Sequence, residues 1–319
     1  MLRSFLCLCL VVLVLSTRPA SAQEPPPQPA ATRAVLVTGA SSGIGRKTTE
    51  LLGKSGFFVY ACARKDADLK ELAAIPNVQA IRLDVTKPEE IEAAVKTVRE
   101  AGRGLFGLVN NAGIAVLAPL IEMREQDLSN QLDVNVLGPF RVTKAFAPLL
   151  IESKGRVATT GSISGTVTWS MGGAYTMSKH AVDAFSDTLA QELRQFGVHV
   201  STIEPGNYRS EIMAGMRQRL IDGGYGGEGS RYQKQIERLI ERPTDRSEFK
   251  EPDDVAAAFL RALTDEKPKL RYMVVPNQRE AEMTIKAAMA RVVQLNQEQP
   301  FAYDRDALIK MLDEALASK

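Results

Sequence analysis

The chain has 319 residues, with 40 basic and 38 acidic side chains and a formal net charge of +2. This balance gives no indication of a nucleic-acid or strongly acidic partner. Hydrophobic residues make up 45% of the chain, and a chain of this length is long enough to bury one large core.

The N-terminal segment has the pattern of a secretory leader. A basic start at Arg3 precedes an apolar run over residues 5–15, and residues 20–22 match an A-x-A cleavage signature. The apolar run is too short for a comfortable transmembrane helix. The pattern predicts a signal peptide or an uncleaved signal anchor over residues 1–22, followed by a proline-rich linker over residues 23–32. The protein is therefore expected to be exported, to the periplasm or the secretory pathway, or to be anchored at a membrane.

A short apolar run followed by a glycine-rich turn opens the folded part of the chain. Residues 34–38 are typical of a buried strand, and residues 46–54 are compatible with a helix. A glycine-rich turn between a strand and a helix lets the backbone approach a pyrophosphate at the positive end of the helix. A tight turn that needs glycine only for its backbone angles is the alternative. The candidate phosphate-binding residues are Gly39, Ser41, Ser42, Gly43, Ile44 and Gly45.

Strand-like and helix-like segments alternate through the next part of the chain. Helical patterns such as residues 87–101, with Thr86 as the predicted N-cap, separate apolar runs of strand length. This alternation predicts a single α/β domain over residues 33–276, with a doubly wound, mostly parallel, Rossmann-like sheet. Ligands bind such sheets beyond the carboxyl ends of the strands. The further predicted strands occupy residues 57–62, 78–83, 105–109, 156–160 and 198–203.

Ser162, Tyr175 and Lys179 form a combination that suits the interconversion of an alcohol and a carbonyl group. A free tyrosine has a pKa near 10 and is a poor base at neutral pH. A lysine one helical turn away favours the phenolate and is expected to lower that pKa. Ser162 would hold the substrate oxygen while Tyr175 gives or takes its proton. Taken alone, a Tyr-x-x-x-Lys pair is also compatible with a hydrogen bond on the surface of an ordinary helix.

Four segments follow the predicted strand over residues 198–203. Residues 207–244 contain a glycine-rich stretch between helix-compatible segments, which predicts either a helical lid over the site or a mobile surface loop. Residues 252–263 predict an amphipathic helix and residues 269–275 a last strand. The tail over residues 277–319 has apolar residues at helical spacing and predicts a helical C-terminal extension. Covering the substrate cleft, forming a homo-oligomer and contacting a membrane are all compatible with this pattern.

Motifs in a fixed order give the chain a resemblance to the short-chain dehydrogenase/reductase superfamily. Residues 38–45 resemble its cofactor motif, and residues 110–113 (Asn-Asn-Ala-Gly) resemble the motif at its fourth strand. Asn135, Ser162, Tyr175 and Lys179 have the spacing of its catalytic tetrad, and Pro205-Gly206 resembles the turn that faces the nicotinamide. The resemblance covers roughly residues 33–275. More loosely, residues 204–209 and the long tail resemble the branch that contains retinol and hydroxysteroid dehydrogenases.

The resemblance implies roles for individual residues. It assigns catalysis to Asn135, Ser162, Tyr175 and Lys179, with Asn135 at a helix kink that holds a water in a proton relay. On the residues alone, a buried helical asparagine usually satisfies a local backbone group. Asp84 either caps the following helix or meets the adenine ring. Further cofactor contacts are implied for Val85, Asn111, Ala112, Gly113, Tyr175, Lys179, Pro205, Gly206, Tyr208 and Ser210.

Cofactor choice depends on the residues that follow the second strand. Related NAD enzymes carry an acidic residue eighteen positions after the last glycine of the turn, where this chain has Ala63. Arg64 and Lys65 follow, and a planar guanidinium suits a 2′-phosphate. These residues predict NADP as cofactor, in preference to NAD. An exposed basic pair, or a register that brings Asp66 to the ribose, is the alternative.

The combined features predict an NADP(H)-dependent oxidoreductase that transfers hydride between the nicotinamide and an alcohol or carbonyl carbon. The apolar lid and long tail favour a lipophilic small-molecule substrate, steroid-like or retinoid-like. A 3-oxoacyl thioester reductase is one alternative, and a non-catalytic dinucleotide-binding sensor or scaffold, which would need no proton donor, is another. His180 and His199 have no metal-like neighbours, so no metal site is predicted.

Overall fold

Seven parallel strands form one sheet at the centre of the protein, which a computed structural model describes over residues 33–317. The strand order is β3-β2-β1-β4-β5-β6-β7. The predicted leader and proline-rich linker lie outside the described residues. The strands are β1 (Ala34–Val37), β2 (Phe58–Ala63), β3 (Val78–Arg82), β4 (Gly107–Asn110), β5 (Arg156–Thr160), β6 (His199–Pro205) and β7 (Arg271–Val274).

Helices follow the strands in the alternating pattern that the sequence predicts. Those found within residues 33–317 are α1 (Gly43–Lys54), α2 (Asp66–Ala73), α3 (Pro88–Glu100), α4 (Glu125–Leu132), α5 (Gly138–Glu152), α6 (Gly173–Leu193), α7 (Ile212–Asp222), α8 (Gln233–Glu241), α9 (Asp253–Thr264), α10 (Gln278–Asn296) and α11 (Arg305–Ala317).

The apolar β-branched residues of β1 explain why both faces of the sheet are covered. Successive side chains of a strand point to opposite faces. Leu36 packs into one core with residues of α3 and α5, whereas Val35 and Val37 pack into the other with residues of α1 and α9. A sheet buried on both faces requires helices on each side. The doubly wound parallel fold predicted from the sequence is confirmed.

Two local features differ from the sequence-based expectation. The predicted N-cap Thr86 is wrong: α3 has Lys87 as its N-cap, and the Thr86 hydroxyl donates to Asp84 at 2.8 Å. Between α4 and α5, residues Asp133–Leu137 form a π-helical turn that contains Asn135. Single π-helical turns of this kind frequently occur at functional sites.

The segment predicted as a lid or a surface loop folds as two helices. Met216 and Leu220 of α7 and Ile236 of α8 are buried in a third apolar cluster together with Leu117 and Met171. The segment is therefore attached to the sheet domain by a small core of its own.

The predicted C-terminal extension forms α10 and α11. Several of its large apolar side chains face solvent, including Leu295 and Phe301, which are 74% and 80% exposed. None of the helices within the described part of the chain is long and apolar enough to span a membrane.

Candidate active site

A cleft of about 380 Å³ lies along the carboxyl edge of the sheet. It is located where the strand order reverses around β1 and β4, the usual position of a ligand site in a doubly wound sheet. Gly39, Asn111 and Ser162, which follow β1, β4 and β5, line it, as does Pro205 at the end of β6. Topology thus brings together residues that are far apart in sequence.

The cleft collects nearly all of the residues that the sequence singled out. Asn135, Ser162, Tyr175 and Lys179 line it, and so does Arg64. The other predicted residues in its lining are Gly39, Ser41, Ser42, Gly43, Ile44, Asp84, Val85, Asn111, Ala112, Gly113, Pro205, Gly206, Tyr208 and Ser210. Gly45 is not part of the lining.

At Gly39 and Gly45, neighbouring atoms of the protein leave no room for a side chain. Gly39 has a left-handed φ of +62°, and a Cβ there would lie 2.8 Å from the Cα of Ala112. A Cβ on Gly45 would lie 2.2 Å from the Gly39 carbonyl oxygen and 2.4 Å from Nδ2 of Asn111. Neither position tolerates a side chain. The absence of a side chain at Gly45 lets α1 start directly against the turn, and a cofactor contact by Gly45 stays a prediction.

Asn111 joins the ends of three strands beneath the cleft. Its Nδ2 donates to the carbonyls of Thr38 and Gly39 at 3.2 and 3.0 Å, and its Oδ1 accepts from the Thr160 hydroxyl at 3.2 Å. The Thr38 hydroxyl oxygen accepts from the amides of Asn111 and Ala112 at 2.9 and 3.1 Å. Sequence reasoning placed Thr38 in the cofactor motif without a role of its own and missed Thr160, although a polar residue at the end of a buried apolar strand was an available signal.

Helix α6 places Tyr175 and Lys179 on one face of the cleft. The Lys179 Nζ lies 5.6 Å from the centre of the Tyr175 ring and donates to the Thr160 carbonyl at 2.8 Å. Ser162 is hydrogen-bonded to the Tyr175 side chain, and its Oγ accepts from the amide of Ser164 at 3.1 Å. The two side chains are therefore close enough to interact, as a shared proton-transfer site requires.

Burial dominates the ionisation of Tyr175 and Lys179. Desolvation raises the pKa of Tyr175, and its hydrogen bond with Ser162 lowers that pKa only in part. Burial also lowers the pKa of Lys179 to about 8, although the charge of Asp183 opposes this shift. The expectation that Lys179 lowers the pKa of Tyr175 is not met here, because desolvation disfavours the charged forms of both groups.

A measurable consequence concerns stability at alkaline pH. The Lys179 pKa falls from 10.5 to about 8 on folding, so below pH 8 the amine is charged in both states and its burial is fully destabilising. Between pH 8 and pH 10.5 the unfolded state binds more protons than the folded state does. The contribution of Lys179 to the free energy of unfolding therefore rises with pH in this range. We expect the unfolding free energy of the wild type, relative to Lys179→Met, to increase by up to about 3 kcal/mol from pH 7 to pH 10.5.

Urea unfolding at a series of pH values measures this difference. The pH dependence separates the charge effect from the lost hydrogen bond to Thr160, which is a constant offset. Lys234→Met, in the exposed Lys234 of α8, is the matched control and is expected to run parallel to the wild type. Parallel curves for Lys179→Met would show that the lysine is not desolvated.

Asn135 is held by the protein at both ends of its amide. Its Oδ1 accepts from the Ile114 amide at 2.9 Å, while Nδ2 donates to the Ile114 carbonyl at 3.0 Å and to the Ser178 hydroxyl oxygen at 3.1 Å. These contacts fix the loop after β4 against α6. A role in proton relay stays a prediction for this residue.

Asp84 and Arg64 meet at the opposite end of the cleft. The Arg64 guanidinium lies 3.6 Å from the Asp84 carboxylate, which also accepts from the Thr86 amide at 3.0 Å. Burial acts to raise the pKa of Asp84, but the hydrogen bonds from Thr86 and the charge of Arg64 bring it below its ordinary value. Asp84 thus remains charged and shapes the turn before α3, although it is not the N-cap of that helix.

In the alternative register considered above, the Asp66 carboxylate would reach the ribose of the cofactor, but in the structure it forms an ion pair outside the cleft. Asp66 pairs with Arg82 and is not part of the cleft lining, so its negative charge is already compensated. Asp68, one position further along the first turn of α2, does line the cleft and was missed by sequence reasoning.

Behind the catalytic candidates, Arg271 of β7 lies among three carboxylates. Its guanidinium is 2.6 Å from Asp187, 3.4 Å from Glu204 and 4.0 Å from Asp183, which lies one turn after Lys179 on α6. Burial, followed by the negative charge of Asp183, raises the pKa of Glu204 to about 7. This cluster ties α6 to β6 and β7, and it therefore fixes the helix that carries Tyr175.

Comparison with known proteins gives three consistent matches. A family model described as short chain dehydrogenase matches residues 33–220. Mouse retinol dehydrogenase 7 is 41% identical over 182 residues, 56% of this chain and 57% of the relative. Human 17-beta-hydroxysteroid dehydrogenase type 6 is 39% identical over 191 residues, 58% of this chain and 60% of the relative. Each match spans less than two thirds of the curated relative's length.

Among solved structures, a short-chain dehydrogenase from Streptomyces avermitilis resembles the chain over most of its length. The TM-score is 0.70 at 28% identity, and the match covers 84% of this chain and 96% of the other. The similarity thus extends through the sheet and its flanking helices.

Proposed function

Since the chain belongs to the short-chain dehydrogenase family, we propose that it is an NADP(H)-dependent oxidoreductase that interconverts an alcohol and a carbonyl compound. The observation that carries this proposal is the contact between Ser162 and Tyr175 beside Lys179, in the same cleft as the glycine-rich turn. A binding protein without turnover has no need of a proton donor at that place.

The cleft has features that fit a dinucleotide. The backbone of Gly39 and the N-terminus of α1 would hold the pyrophosphate, since the missing side chains permit close approach and the helix dipole favours an anion. Arg64 would hold a 2′-phosphate, and Asp84 with Val85 would line the adenine end. The nicotinamide, when bound, supplies or accepts the hydride.

Side chains of the protein would carry out the proton transfer. Ser162 holds the substrate oxygen, and the Tyr175 hydroxyl gives its proton to that oxygen in reduction or takes it back in oxidation. Because the pKa of Tyr175 is raised, the phenol is protonated at neutral pH and is ready to act as an acid. Lys179 is positioned by the Thr160 carbonyl beside the Tyr175 ring, where its charge would favour the phenolate that proton donation leaves.

We propose a lipophilic substrate of the steroid or retinoid type. Ile212 of α7 is an apolar lid side chain that lines the cleft, and this supports a lipophilic substrate. Relatives named as retinol and 17-beta-hydroxysteroid dehydrogenases support the same class. A 3-oxoacyl thioester reductase and a non-catalytic sensor remain the alternatives.

A turnover screen of the purified protein tests these proposals. The substrates are steroids, retinoids, short ketones and a 3-oxoacyl thioester, each with NADPH and NADH or the oxidised forms. Turnover of the thioester alone would favour the acyl reductase. Cofactor binding without any turnover would favour the sensor.

We also propose that the leader is removed, so that the mature protein begins at or near Gln23. Mass spectrometry of the protein from its native membrane and exported fractions is expected to show this terminus. An Ala22→Leu variant, which disrupts the A-x-A signature, is expected to keep the leader. An intact Met1 on wild-type protein in the membrane fraction would instead support a signal anchor.

The extension over residues 277–319 is proposed to mediate homo-oligomerisation or membrane contact. The exposed apolar side chains of α10 and α11 support an interaction role for this segment. Sedimentation of the purified protein with and without lipid vesicles distinguishes the two.

A further inference from the structure

A second arginine, Arg219 of helix α7, lines the cleft beside Arg64. It comes from the lid segment, whereas Arg64 follows β2. The two side chains are close enough for one charge to act on the other: burial, and then the positive charge of Arg64, lower the pKa of Arg219. Two like charges directed into one cleft repel each other unless an anion lies between them.

Arg219 has no compensating partner within residues 33–317. None of the described carboxylates lies within ion-pair distance of its guanidinium, and it makes no hydrogen bond to the described part of the chain. Asp222, three residues later, opposes the lowering of the Arg219 pKa but accepts a hydrogen bond from Gln218 at 2.7 Å. The guanidinium therefore has its five donors free for a ligand.

Packing of α7 fixes the direction of this side chain. Met216 and Leu220 are buried in the lid cluster, so α7 cannot rotate freely. One turn before Arg219, Gly215 also lines the cleft, and a Cβ at that position would lie 2.8 Å from the Arg219 Nη1. The absence of a side chain at Gly215 leaves the space that the guanidinium occupies.

We propose that Arg219 binds the 2′-phosphate of NADP(H) together with Arg64. The inference rests on the proposed function and names a second, lid-borne determinant of the same cofactor preference. A phosphate between two guanidinium groups converts their repulsion into two charge-assisted interactions. The 2′-phosphate is the favoured group because Arg64 follows β2, and residues at that place contact the adenosine ribose in folds of this kind. The pyrophosphate would bind at the turn after β1 instead.

Calorimetric titration with adenosine 2′,5′-bisphosphate and adenosine 5′-monophosphate tests the inference without turnover. The two probes differ only in the 2′-phosphate. Arg219→Ala is expected to lower the affinity for the bisphosphate by about tenfold or more, because a charge-assisted hydrogen bond contributes about 1.5–3 kcal/mol. The affinity for the monophosphate is expected to stay within about twofold of the wild-type value. Arg217→Ala, at an exposed arginine of the same helix, is the control and is expected to change neither affinity.

Two further variants test the shared site. In Arg64→Ala/Arg219→Ala the losses are expected to be non-multiplicative, because both side chains act on one phosphate. Gly215→Ala keeps the arginine but places a methyl group in its space, and is expected to weaken the bisphosphate selectively. That substitution suits the helix, since alanine is the better helix former.

The outcomes separate this inference from the proposed function. A wild-type protein that does not prefer the bisphosphate would contradict the NADP(H) assignment itself. A wild-type preference that survives Arg219→Ala unchanged would contradict the role of Arg219 alone. Equal weakening of both probes by Arg219→Ala would show that this arginine binds a group common to them, and would likewise overturn the inference.

Discussion

Replacement of Tyr175 by phenylalanine is expected to lower kcat at least about 100-fold while leaving NADPH binding intact, since general acid–base catalysis contributes about 10²–10⁴-fold. The phenyl ring keeps the packing of α6 against the cleft and loses only the hydroxyl that is hydrogen-bonded to Ser162. The measurements are steady-state turnover with the best substrate of the screen and NADPH binding by fluorescence.

A matched control uses a tyrosine away from the cleft. Tyr303 lies between α10 and α11 and is half-exposed, so Tyr303→Phe is expected to keep wild-type turnover. If Tyr175→Phe retained more than about a tenth of the wild-type rate, Tyr175 could not be the acid–base group.

Replacement of Arg64 by alanine is expected to remove most of the preference for NADP(H). The Arg64 side chain is 62% exposed and is held at 3.6 Å from Asp84, so it is both accessible and oriented. Loss of one charge-assisted contact to a phosphate corresponds to roughly a 10- to 100-fold decrease in kcat/KM with NADPH, with little change for NADH.

Steady-state kinetics with both cofactors provide the measurement. Arg99→Ala, in the last turn of α3 and outside the cleft lining, is the control and is expected to leave both values unchanged. A higher kcat/KM with NADH than with NADPH in the unmutated protein would contradict the assignment of NADP(H) as the cofactor.

The fold was predictable because its signals are local. The apolar run of β1, the glycines that follow it and the Tyr175–Lys179 spacing each act over a few residues. In a parallel sheet the carboxyl ends of the strands lie at one edge, so the residues that follow each strand could be placed at a common site without any knowledge of their contacts. Most strand boundaries differ from the prediction by one or two residues, as expected from fraying at element ends.

The parts that failed depend on packing between distant segments. The direction of the Tyr175 pKa shift is set by desolvation, which no local pattern reports. The sequence also could not show that the space beside Gly45 is taken by Asn111, a contact across 66 residues. Arg219 carried no signal at all, because its position depends on how α7 packs over the cleft.

The central position of β1 in the sheet has a consequence for biosynthesis. The first strand of the chain pairs with β4, where Val37 is in register with Val109, and α7 completes the cleft only at Arg219. A chain emerging from the ribosome therefore cannot assemble the complete cleft until about two thirds of its 319 residues have been made. Such non-local pairing slows folding and leaves the apolar edges of the early strands unpaired until the later strands have been made.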